Sequence, residues 1–334
     1  SRNVQYRMTD VQKILPEQNK IITEDAEFTY DKLVIATGCK TNFFGNRKME
    51  HLTFGMKNTQ EAIAIRNHVL LTFEKLIIER KRSDDGNWNI VIVGSGPTGV
   101  ELAGAFAEMK KDILPRDYPH MNFDNLNIIL VSSTTTPLSV MSEESQQMSE
   151  KYLKELGVQF MSDEFVTDYD GDKVYMKSGK TIASNNVIWA AGVTGNIIEG
   201  LDPEVMIRNR YKTDRFNRVF GYENIFAIGD IAYMETPKYP QAHPQVANVA
   251  INQGKNLGRN FLRKSENEWK EYEYNDQGSM ATIGKHRAVV DLPNFKFQGF
   301  LAWYFWMFLH LMLILSVRNK IAIFFNWMWS YLNK

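Results

Sequence analysis

The chain has 334 residues, of which 44% are hydrophobic and 23% are charged. A chain of this length and composition can bury more than one core, so we expect two or more domains and not a small cross-linked module. Lysine plus arginine and aspartate plus glutamate both total 39, which leaves no net charge at pH 7. No overall field therefore attracts the chain to a polyanion, and we expect no nucleic-acid partner.

Cys39 is the single cysteine of the chain. One thiol excludes an internal disulfide, a redox pair of cysteines, and a cysteine-ligated zinc or iron–sulfur centre. The histidines show no spacing typical of metal ligands; they stand at positions 51, 68, 120, 243, 286 and 310. We therefore predict no metal site, and any electron transfer would require an organic cofactor.

The first residues of the chain are predicted to form only part of a domain. The chain opens at Ser1 within a stretch that has the pattern of a strand, and we expect that part of the domain precedes it. Leu33–Gly38 is an apolar run that predicts a strand delivering Thr37 and Gly38 at its end. Cys39 is predicted only to line the turn that follows.

A helical pattern follows from about Thr59 to Arg82 and ends in the polar stretch 83–86. Polar residues with a glycine are typical of a linker. We therefore place a domain boundary here and start the second domain near Asn87.

The clearest element is a strand, a glycine turn and a helix in that order. The strand is Asn89–Val93, the helix extends to about Lys111, and Asn127–Val131 supplies the next strand of a parallel βαβ unit. Glycines in such a turn permit a tight strand exit, close approach of a pyrophosphate and close helix–strand contact. An ordinary glycine-rich turn is the alternative, but the flanking elements favour a dinucleotide site at Gly94, Gly96 and Gly99.

Two positions near this turn bear on the nucleotide. Glu101 is predicted in the first turn of the helix, where a carboxylate either faces a nicotinamide or caps the helix, and both alternatives stay open. NAD-selective sites usually carry an acid at the end of the second strand, whereas here Ser132 follows the strand. No arginine or lysine lies between Asn127 and Met141 to bind a 2′-phosphate. NADH is therefore the expected nucleotide, with a small preference over NADPH.

A weak internal repeat relates two parts of the chain. Val4–Tyr6 and Leu33–Gly38 are similar to Val158–Phe160 and Val187–Gly192 at one constant offset. This similarity predicts two copies of one domain. The glycine turn of the first copy would precede Ser1, so we expect that copy to lack its phosphate-binding half and to bind its cofactor weakly.

A second candidate site follows the apolar run Ile225–Ile228. This short strand delivers Gly229 and Asp230 at its end, where a carboxylate can accept hydrogen bonds from a ribityl chain. The alternative is that Asp230 is only a turn residue. Together with the Ala-Thr-Gly sequence ending at Gly38 and the GxGxxG turn, the pattern resembles flavoproteins in which an FAD domain and an NAD(P)H domain interleave.

The C-terminal part changes character. Phe300–Val317 is almost wholly apolar, and Arg318 and Lys320 follow it. From Ile321 to Leu332 apolar residues recur at helical spacing, which predicts an amphipathic helix lying flat on a membrane surface. The pattern favours monotopic attachment, although the length of the first run leaves a single span as the alternative. His310 is predicted to be a packed or interfacial residue.

Within the flavoproteins the chain resembles the type II NADH:quinone oxidoreductases, the single-subunit alternative NADH dehydrogenases. The resemblance covers almost the whole chain, and the apolar tail follows the segments that carry it. The segments that carry it are Ala36–Gly45, Gly94–Leu102, Trp189–Val193, Ala227–Asp230 and His243–Gly254.

The resemblance implies that NADH reduces FAD and that the electrons pass to a quinone without proton pumping. It implies that Gly94, Gly96, Gly99 and Glu101 hold NADH, and that Ala191 and Gly192 also contact a cofactor. It implies that Thr37, Gly38, Gly229, Asp230 and Ala247 contact FAD. The AQxAxQ quinone element of the family falls on residues 247–252, so Asn248 and Asn252 stand where glutamines are expected.

We therefore expect an α/β protein with two interleaved Rossmann-like domains, the first incomplete, and a C-terminal membrane-binding helical segment. The expected domains are residues 1–86 and 199–275 for FAD, 87–198 for NADH, and 276–334 for the membrane. Expected partners are a quinone, a lipid surface and, as an open alternative, a second copy in a homodimer. The expected location is the cytoplasmic face of a bacterial inner membrane or an equivalent organellar membrane.

Two rival functions stay open at this point. One is a related FAD-dependent NAD(P)H oxidoreductase with a soluble acceptor, which the apolar C-terminus disfavours. The other is a membrane-tethered nucleotide-binding protein without catalysis. Relatives that oxidise sulfide or reduce thioredoxin use paired cysteines, and one cysteine disfavours these functions.

Overall fold

A computed structural model describes residues 3–78, 88–314 and 316–332. The α-helices of these residues, numbered in chain order, are α1 Arg47–Leu52, α2 Thr59–Ile78, α3 Pro97–Glu108, α4 Leu114–Asp117, α5 Glu143–Glu155, α6 Ala247–Phe261, α7 Phe300–Leu313 and α8 Val317–Leu332.

The strands, also numbered in chain order, are β1 Val11–Leu15, β2 Lys20–Thr23, β3 Glu27–Thr29, β4 Leu33–Ile35, β5 Cys39–Thr41, β6 Phe54–Gly55, β7 Ile90–Val93, β8 Ile128–Val131, β9 Gln159–Met161, β10 Val166–Tyr169, β11 Lys173–Met176, β12 Thr181–Ala183, β13 Asn186–Trp189, β14 Val193–Gly195, β15 Met206–Ile207, β16 Arg210–Thr213, β17 Ile225–Ala227, β18 Ala232–Met234, β19 Ser279–Thr282, β20 Ala288–Asp291 and β21 Lys296–Gln298.

The chain divides into two compact units. Unit 1 consists of residues 1–40 and 193–275, and unit 2 consists of residues 41–192 and 276–334. The predicted boundary at residues 86 and 87, and the predicted end of the linker helix at Arg82, lie outside the described residues. The domain limits at 198 and 275 stay predictions.

A parallel sheet forms the centre of unit 2, with strand order β6-β13-β7-β8-β9. Its middle strands pair in register, with Ile90 opposite Ile128 and Val91 opposite Val187. All residues of β7, β8 and β13 are buried, because α2, α3 and α5 pack on one face of the sheet and β10, β11 and α1 pack on the other. The predicted α/β class with a Rossmann-like sheet is confirmed.

Helix α3 packs on this sheet. The helical stretch that it begins runs through α4 and so extends beyond the predicted end at about Lys111. It packs on β7 and β8, passes into a π-helical turn at Met109–Ile113, and leads into α4. Pro115, in the first turn of α4, has no N–H to donate to a preceding carbonyl. A wider turn accommodates that missing hydrogen bond, which gives a sequence cause for the π-helical turn.

The two units contain similar small antiparallel sheets. In unit 1 the order is β1-β2-β3, and in unit 2 it is β10-β11-β12. These sheets occupy corresponding places in the predicted repeat, each followed by a strand of a parallel pair, β4 or β13. The expectation of a strand at the start of the chain is wrong: Val4–Tyr6 is in no strand, and Val4 and Tyr6 are 70% and 83% exposed.

The C-terminal region forms a sheet of order β19-β20-β21 against which α7 packs, and α8 packs on α7. The apolar run predicted over Phe300–Val317 is not one helix, because Ile314 takes an extended conformation after Leu313. The second helix begins at Val317, earlier than the predicted Ile321. Within the described residues, no helix combines the length and the apolar character needed to cross a bilayer.

Gly104 allows α3 to approach the turn after β19. A Cβ atom at Gly104 would lie 2.5 Å from the backbone nitrogen of Gly284. Because backbone atoms cannot turn aside as a side chain can, the two segments require glycine at this contact.

We expect Gly104→Ala to lower the free energy of unfolding by about 1–3 kcal/mol, because the added methyl forces the helix away from the turn. The control is Gly258→Ala in α6, where a Cβ meets no atom within 4 Å. The control should be neutral or stabilise by about 0.5–1 kcal/mol, since alanine has the higher helix propensity. Urea unfolding of both variants makes the comparison, and equal stability of the two would contradict the close approach.

Candidate active site

The glycine turn of unit 2 joins β7 to α3 as predicted. Gly94 has φ +106°, and a Cβ there would lie 2.6 Å from the carbonyl oxygen of Ala190 and 2.7 Å from the Cα of Ala191. A Cβ at Gly99 would lie 1.8 Å from the carbonyl oxygen of Gly94. Both positions therefore require glycine for the turn to close, and the structure brings Gly94, Gly99 and Ala191 together.

Gly96 has a different role, because a Cβ there would meet no atom within 4 Å. It is the N-cap residue of α3, has no side chain to cap the helix, and is followed by Pro97 in the first turn. The N–H groups of a helix N-terminus carry partial positive charge and attract anions. Open space at an uncapped helix N-terminus is the arrangement that lets a pyrophosphate approach the backbone.

Ser132 stands at the end of β8 but its hydroxyl is already engaged. It lies 2.6 Å from the Oγ of Ser95 and 2.8 Å from the Oγ1 of Thr134. Ser132 is 3% exposed and Ser95 is 6% exposed. The ends of β7 and β8 are thus joined by a cluster of hydroxyls, Ser95, Ser132 and Thr134, which carries no formal charge.

Glu101 lies beyond the first turn of α3, which contains no acidic residue. Its predicted place in the first turn is therefore wrong, because α3 begins at Pro97 and Glu101 is the fifth residue of the helix. The carboxylate Oε1 instead accepts hydrogen bonds of 3.4 Å from both the N–H and the hydroxyl of Thr282. Burial raises the pKa of Glu101, against the hydrogen bonds from Thr282 and the charge of His310, which lower it.

Ala191 and Gly192 follow β13 in unit 2. Gly192 has φ +135°, and its carbonyl accepts a 3.0 Å hydrogen bond from the N–H of Asn42. The carbonyl of Asn42 in turn accepts a 2.7 Å bond from the indole N–H of Trp189. These bonds fix the backbone at the end of β13. That backbone borders the glycine turn, since a Cβ at Gly94 would lie 2.7 Å from the Cα of Ala191.

Unit 1 places its predicted residues at the ends of two paired strands. Strands β4 and β17 are parallel, with Ile35 opposite Ala227. Thr37 and Gly38 follow one strand and Gly229 and Asp230 follow the other, so all four lie at the same edge. The hydroxyl of Thr37 donates a 2.6 Å bond to the carbonyl of Asn196.

Three side chains that sequence reasoning missed hold the Gly229–Asp230 turn. The N–H of Gly229, at φ +74°, donates a 2.7 Å bond to Oε1 of Gln253. The thiol of Cys39 donates to a carboxylate oxygen of Asp230 at 2.8 Å, so the prediction that Cys39 only lines a turn is wrong. The side chain of Gln245 donates a 2.9 Å bond to the Asp230 carbonyl.

Arg210 is a further residue that the sequence did not indicate. Its guanidinium, which is buried, donates to the carbonyls of Ala232 and His243 and lies 5.3 Å from the ring centroid of Tyr233. Burial lowers the pKa of Arg210, while the charge of Asp230 raises it. The arginine thus joins the strand after Asp230 to the segment that leads into α6. A lone arginine in a β-strand carries no pattern that could have predicted this.

Helix α6 begins at Ala247, the last of the candidate flavin contacts in the chain. Its N-cap residue Val246 has no side chain to cap the first turn. Asn248 and Asn252 are one turn apart and therefore share a face, next to the face buried by Val249 and Gln253. In the described part of the chain, no group of three or more His, Cys, Asp or Glu residues could hold a metal ion.

Comparison with known proteins assigns most of the chain to two family models. Residues 1–254 match the pyridine nucleotide-disulphide oxidoreductase model, and residues 277–333 match the NDH2 C-terminal domain. The type II NADH:quinone oxidoreductase Ndh of Mycobacterium tuberculosis is 29% identical over 99% of this chain and 74% of its own length. The Arabidopsis thaliana internal alternative NAD(P)H-ubiquinone oxidoreductase A1 is 30% identical over 91% of this chain and 63% of its own.

Two solved structures have the same fold. NDH2 from Plasmodium falciparum in complex with NADH superposes with a TM-score of 0.90 at 20% identity, over 97% of this chain and 83% of that one. A ferredoxin reductase from Rhodopseudomonas palustris has a TM-score of 0.66 at 16% identity, over 86% of this chain and 64% of that one. The two structures show that the fold is shared, and the family models and curated relatives confirm the resemblance that the sequence motifs indicated.

We expect Gln253→Leu to destabilise the protein by about 1–3 kcal/mol, because the buried N–H of Gly229 would lose its acceptor. Gln253 itself is 0% exposed, so water cannot replace the bond. Asn256→Ala is the control, since Asn256 lies one turn further on α6 and donates to the Lys270 carbonyl at an exposed position. Urea unfolding measures both, and a loss for Gln253→Leu no greater than for the control would refute the role of Gln253.

Proposed function

The chain belongs to the family of pyridine nucleotide-disulphide oxidoreductases, and on that premise we propose that it is a type II NADH:quinone oxidoreductase. It takes electrons from NADH through FAD to a membrane quinone and pumps no protons. The observation that carries the proposal is the coexistence of the open glycine turn at Gly96 with a C-terminal region that matches the NDH2 C-terminal domain. Relatives named for this activity match nearly the whole chain.

NADH is held by the turn at the start of α3. Gly94 and Gly99 close the turn, and the space beside Gly96 receives the pyrophosphate at the positive end of the helix. Ala191 and Gly192 border the same turn from the end of β13. Glu101, further along α3, is the candidate carboxylate to face the nicotinamide, and its carboxylate accepts hydrogen bonds from Thr282 of β19.

FAD fits the residues of unit 1 that lie at one edge of the β4–β17 pair. Gly38 has φ +67° and a Cβ there would meet nothing within 4 Å, so a cofactor can approach its backbone. Thr37, Gly229 and the Asp230 carboxylate lie at the same edge. Ala247 begins α6, whose N-terminus has no side-chain cap and can therefore stabilise a negatively charged part of the cofactor. FAD, when bound, accepts a hydride and releases electrons to the next acceptor.

The Asp230 carboxylate is oriented by groups of this chain. Cys39 donates to one of its oxygens, and Gln245 fixes the backbone of the turn. A carboxylate has about four acceptor positions, and the hydroxyl groups of a ribityl chain are donors suited to such a group. Arg210 adds positive charge near the carboxylate, and the charge of Asp230 in turn raises the pKa of the guanidinium against the effect of burial.

Quinone borders α6 at Asn248 and Asn252, which offer amide groups to a carbonyl.

The apolar helices α7 and α8 attach the protein to one leaflet as a monotopic plate, at the cytoplasmic face of a bacterial inner membrane or an equivalent organellar membrane. Large exposed apolar side chains on both helices support this attachment; they are Leu301, Tyr304, Phe308, Val317, Phe325 and Trp329. A homodimer stays an open arrangement.

The likeness to a ferredoxin reductase keeps a soluble acceptor as the second candidate function. The exposed apolar helices favour a lipid-soluble acceptor over it. Thiol chemistry within this chain is excluded in spite of the family name, because Cys39 has no second cysteine to pair with.

We expect Gly96→Val to weaken NADH binding at least about tenfold, a cost of about 1.4 kcal/mol, because its side chain would occupy the space beside the helix N-terminus. Stability should stay unchanged, since Gly96 has extended backbone angles that valine also adopts. Gly258→Val, also in open space, is the control. Equilibrium NADH titration measures the affinity, and unchanged affinity in Gly96→Val would reject this turn as the nucleotide site.

We expect Asn248→Gln combined with Asn252→Gln to lower the KM for a long-tailed quinone by about 2- to 10-fold, the equivalent of one hydrogen bond. Glutamine is one methylene longer and reaches further toward a bound carbonyl. The KM for NADH and the rate with a soluble dye should not change. Asn256→Gln on the next turn is the control. A flavin spectrum without any quinone reduction would favour the soluble-acceptor function.

A further inference from the structure

The loop after β9 lies alongside the residues that follow β8, its parallel neighbour in the sheet. The N–H of Glu164 donates a 2.8 Å hydrogen bond to the carbonyl of Ser132. The N–H of Asp163 donates a 3.3 Å hydrogen bond to the carbonyl of Thr134. The residues that follow β8, as far as Met141, include no acid of their own. The fold therefore brings two acids from another loop to a strand end that lacks one.

The Asp163 side chain reaches the loop that follows β8. Its carboxylate oxygen Oδ1 accepts a 3.2 Å hydrogen bond from the hydroxyl of Thr135, and both residues are exposed. Thr135 lies three residues after Ser132. In parallel sheets of this kind, ligands bind outside the carboxyl ends of the strands. The Asp163 carboxylate is thus accessible at the edge of the sheet where a dinucleotide binds.

The backbone at Asp163 is in the left-handed region, with φ +57°. Glycine adopts this conformation without steric cost, whereas a residue with a Cβ atom is strained there, aspartate less than most. Residues in such conformations cluster at ligand sites. A glycine would form this turn with less strain, so the turn alone does not explain the carboxylate.

The neighbouring acid, Glu164, has a different environment. Its side chain is 7% exposed, and its Oε1 lies 2.7 Å from Nζ of Lys180. The two charges of this pair offset each other at the distance of the strand end. Asp163 adds an exposed negative charge beside this neutral pair.

The adenosine ribose is the part of the nucleotide that a charge at this edge would affect. In dinucleotide-binding folds it lies at the end of the second strand, which is β8 here. NADH has a hydroxyl at the 2′ position of this ribose, and NADPH has a phosphate there. The hydroxyl cluster formed by Ser95, Ser132 and Thr134 carries no formal charge and cannot repel that phosphate. Any electrostatic preference must come from another element.

We propose that Asp163 is the residue that gives the nucleotide site its preference for NADH, so that the loop after β9 supplies the acid that β8 lacks. Its carboxylate accepts hydrogen bonds from the ribose hydroxyls of NADH and repels the 2′-phosphate of NADPH. This inference rests on the proposed function, in which the glycine turn binds the nucleotide. Because water weakens the interaction between exposed charges, the effect is small, about 3- to 10-fold in affinity.

The test compares the Kd of NADPH with that of NADH for the full chain, by equilibrium titration with no quinone present. Asp163→Asn should lower the ratio of the two constants by about 3- to 10-fold. Asparagine keeps the size of the side chain, an acceptor oxygen for Thr135 and the tolerance of a left-handed backbone. The variant therefore changes mainly the charge.

Asp172→Asn is the matched control, since it removes the same charge from the same unit. Asp172 follows β10, whose four residues separate it from the loop of Asp163 by about 13 Å at about 3.3 Å per residue. Its carboxylate accepts a 3.1 Å hydrogen bond from Nδ2 of Asn185, which an asparagine oxygen can also accept. The ratio of the two constants should stay unchanged in this variant.

Ionic strength gives a second measurement that a purely structural role of Asp163 would not affect. Salt at about 1 M shortens the Debye length to about 3 Å, from about 10 Å at 0.1 M. The ratio for the unaltered chain should then fall toward that of Asp163→Asn, and the ratio for the variant should change little. Asp163→Gly removes the carboxylate and the left-handed strain together, and it replaces the asparagine variant if that variant does not fold.

A ratio in Asp163→Asn equal to that of the unaltered chain would overturn the inference and leave the proposed function in place. If the ratio falls as expected but the protein reduces no quinone, the inference stands and the proposed function fails. A full chain that binds neither nucleotide would overturn both.

Discussion

Helix α3 approaches other backbone segments at distances that glycine alone permits, and the arrangement of unit 2 depends on this. Gly99 lets its first turn close on Gly94, and Gly104 lets its middle meet the turn at Gly284. The two contacts lie at the first turn and in the middle of one helix, which therefore links the position of the nucleotide turn to that of the C-terminal hairpin. Glu101 lies between the two contacts, which is why its surroundings combine a nucleotide turn with a hairpin strand.

Unit 1 positions its chemistry by another means. Its candidate cofactor residues follow two parallel strands, and buried polar side chains hold the turn between them. Gln253 satisfies a backbone donor, Cys39 donates to Asp230, and Arg210 joins two carbonyls. Each of these bonds compensates for the loss of water around a buried polar group. The turn is thereby rigid before any cofactor arrives.

The elements that were predicted correctly are those in which a local pattern dictates the structure. The strand–turn–helix at Gly94 and the strand before Gly229 combine apolar runs with glycines at positions of tight turning. The partners of these elements could not be predicted in the same way. Gln253 and Arg210 are distant in sequence from the groups they bind, and so is Glu101, whose partner Thr282 lies on β19. Such contacts depend on tertiary packing, which single-sequence patterns do not encode.

The hydroxyl cluster at the ends of β7 and β8 has a consequence for how the protein behaves in a cell. An acid at this position repels a 2′-phosphate and a cation attracts it, so either residue fixes the nucleotide by its charge. Ser95, Ser132 and Thr134 satisfy one another and exert neither force. The preference of the site for NADH over NADPH is therefore expected to be small, and the relative abundance of the two nucleotides would also decide which is used. The rate of the enzyme would then depend on the concentrations of NADH and NADPH, and so on the redox state of its compartment.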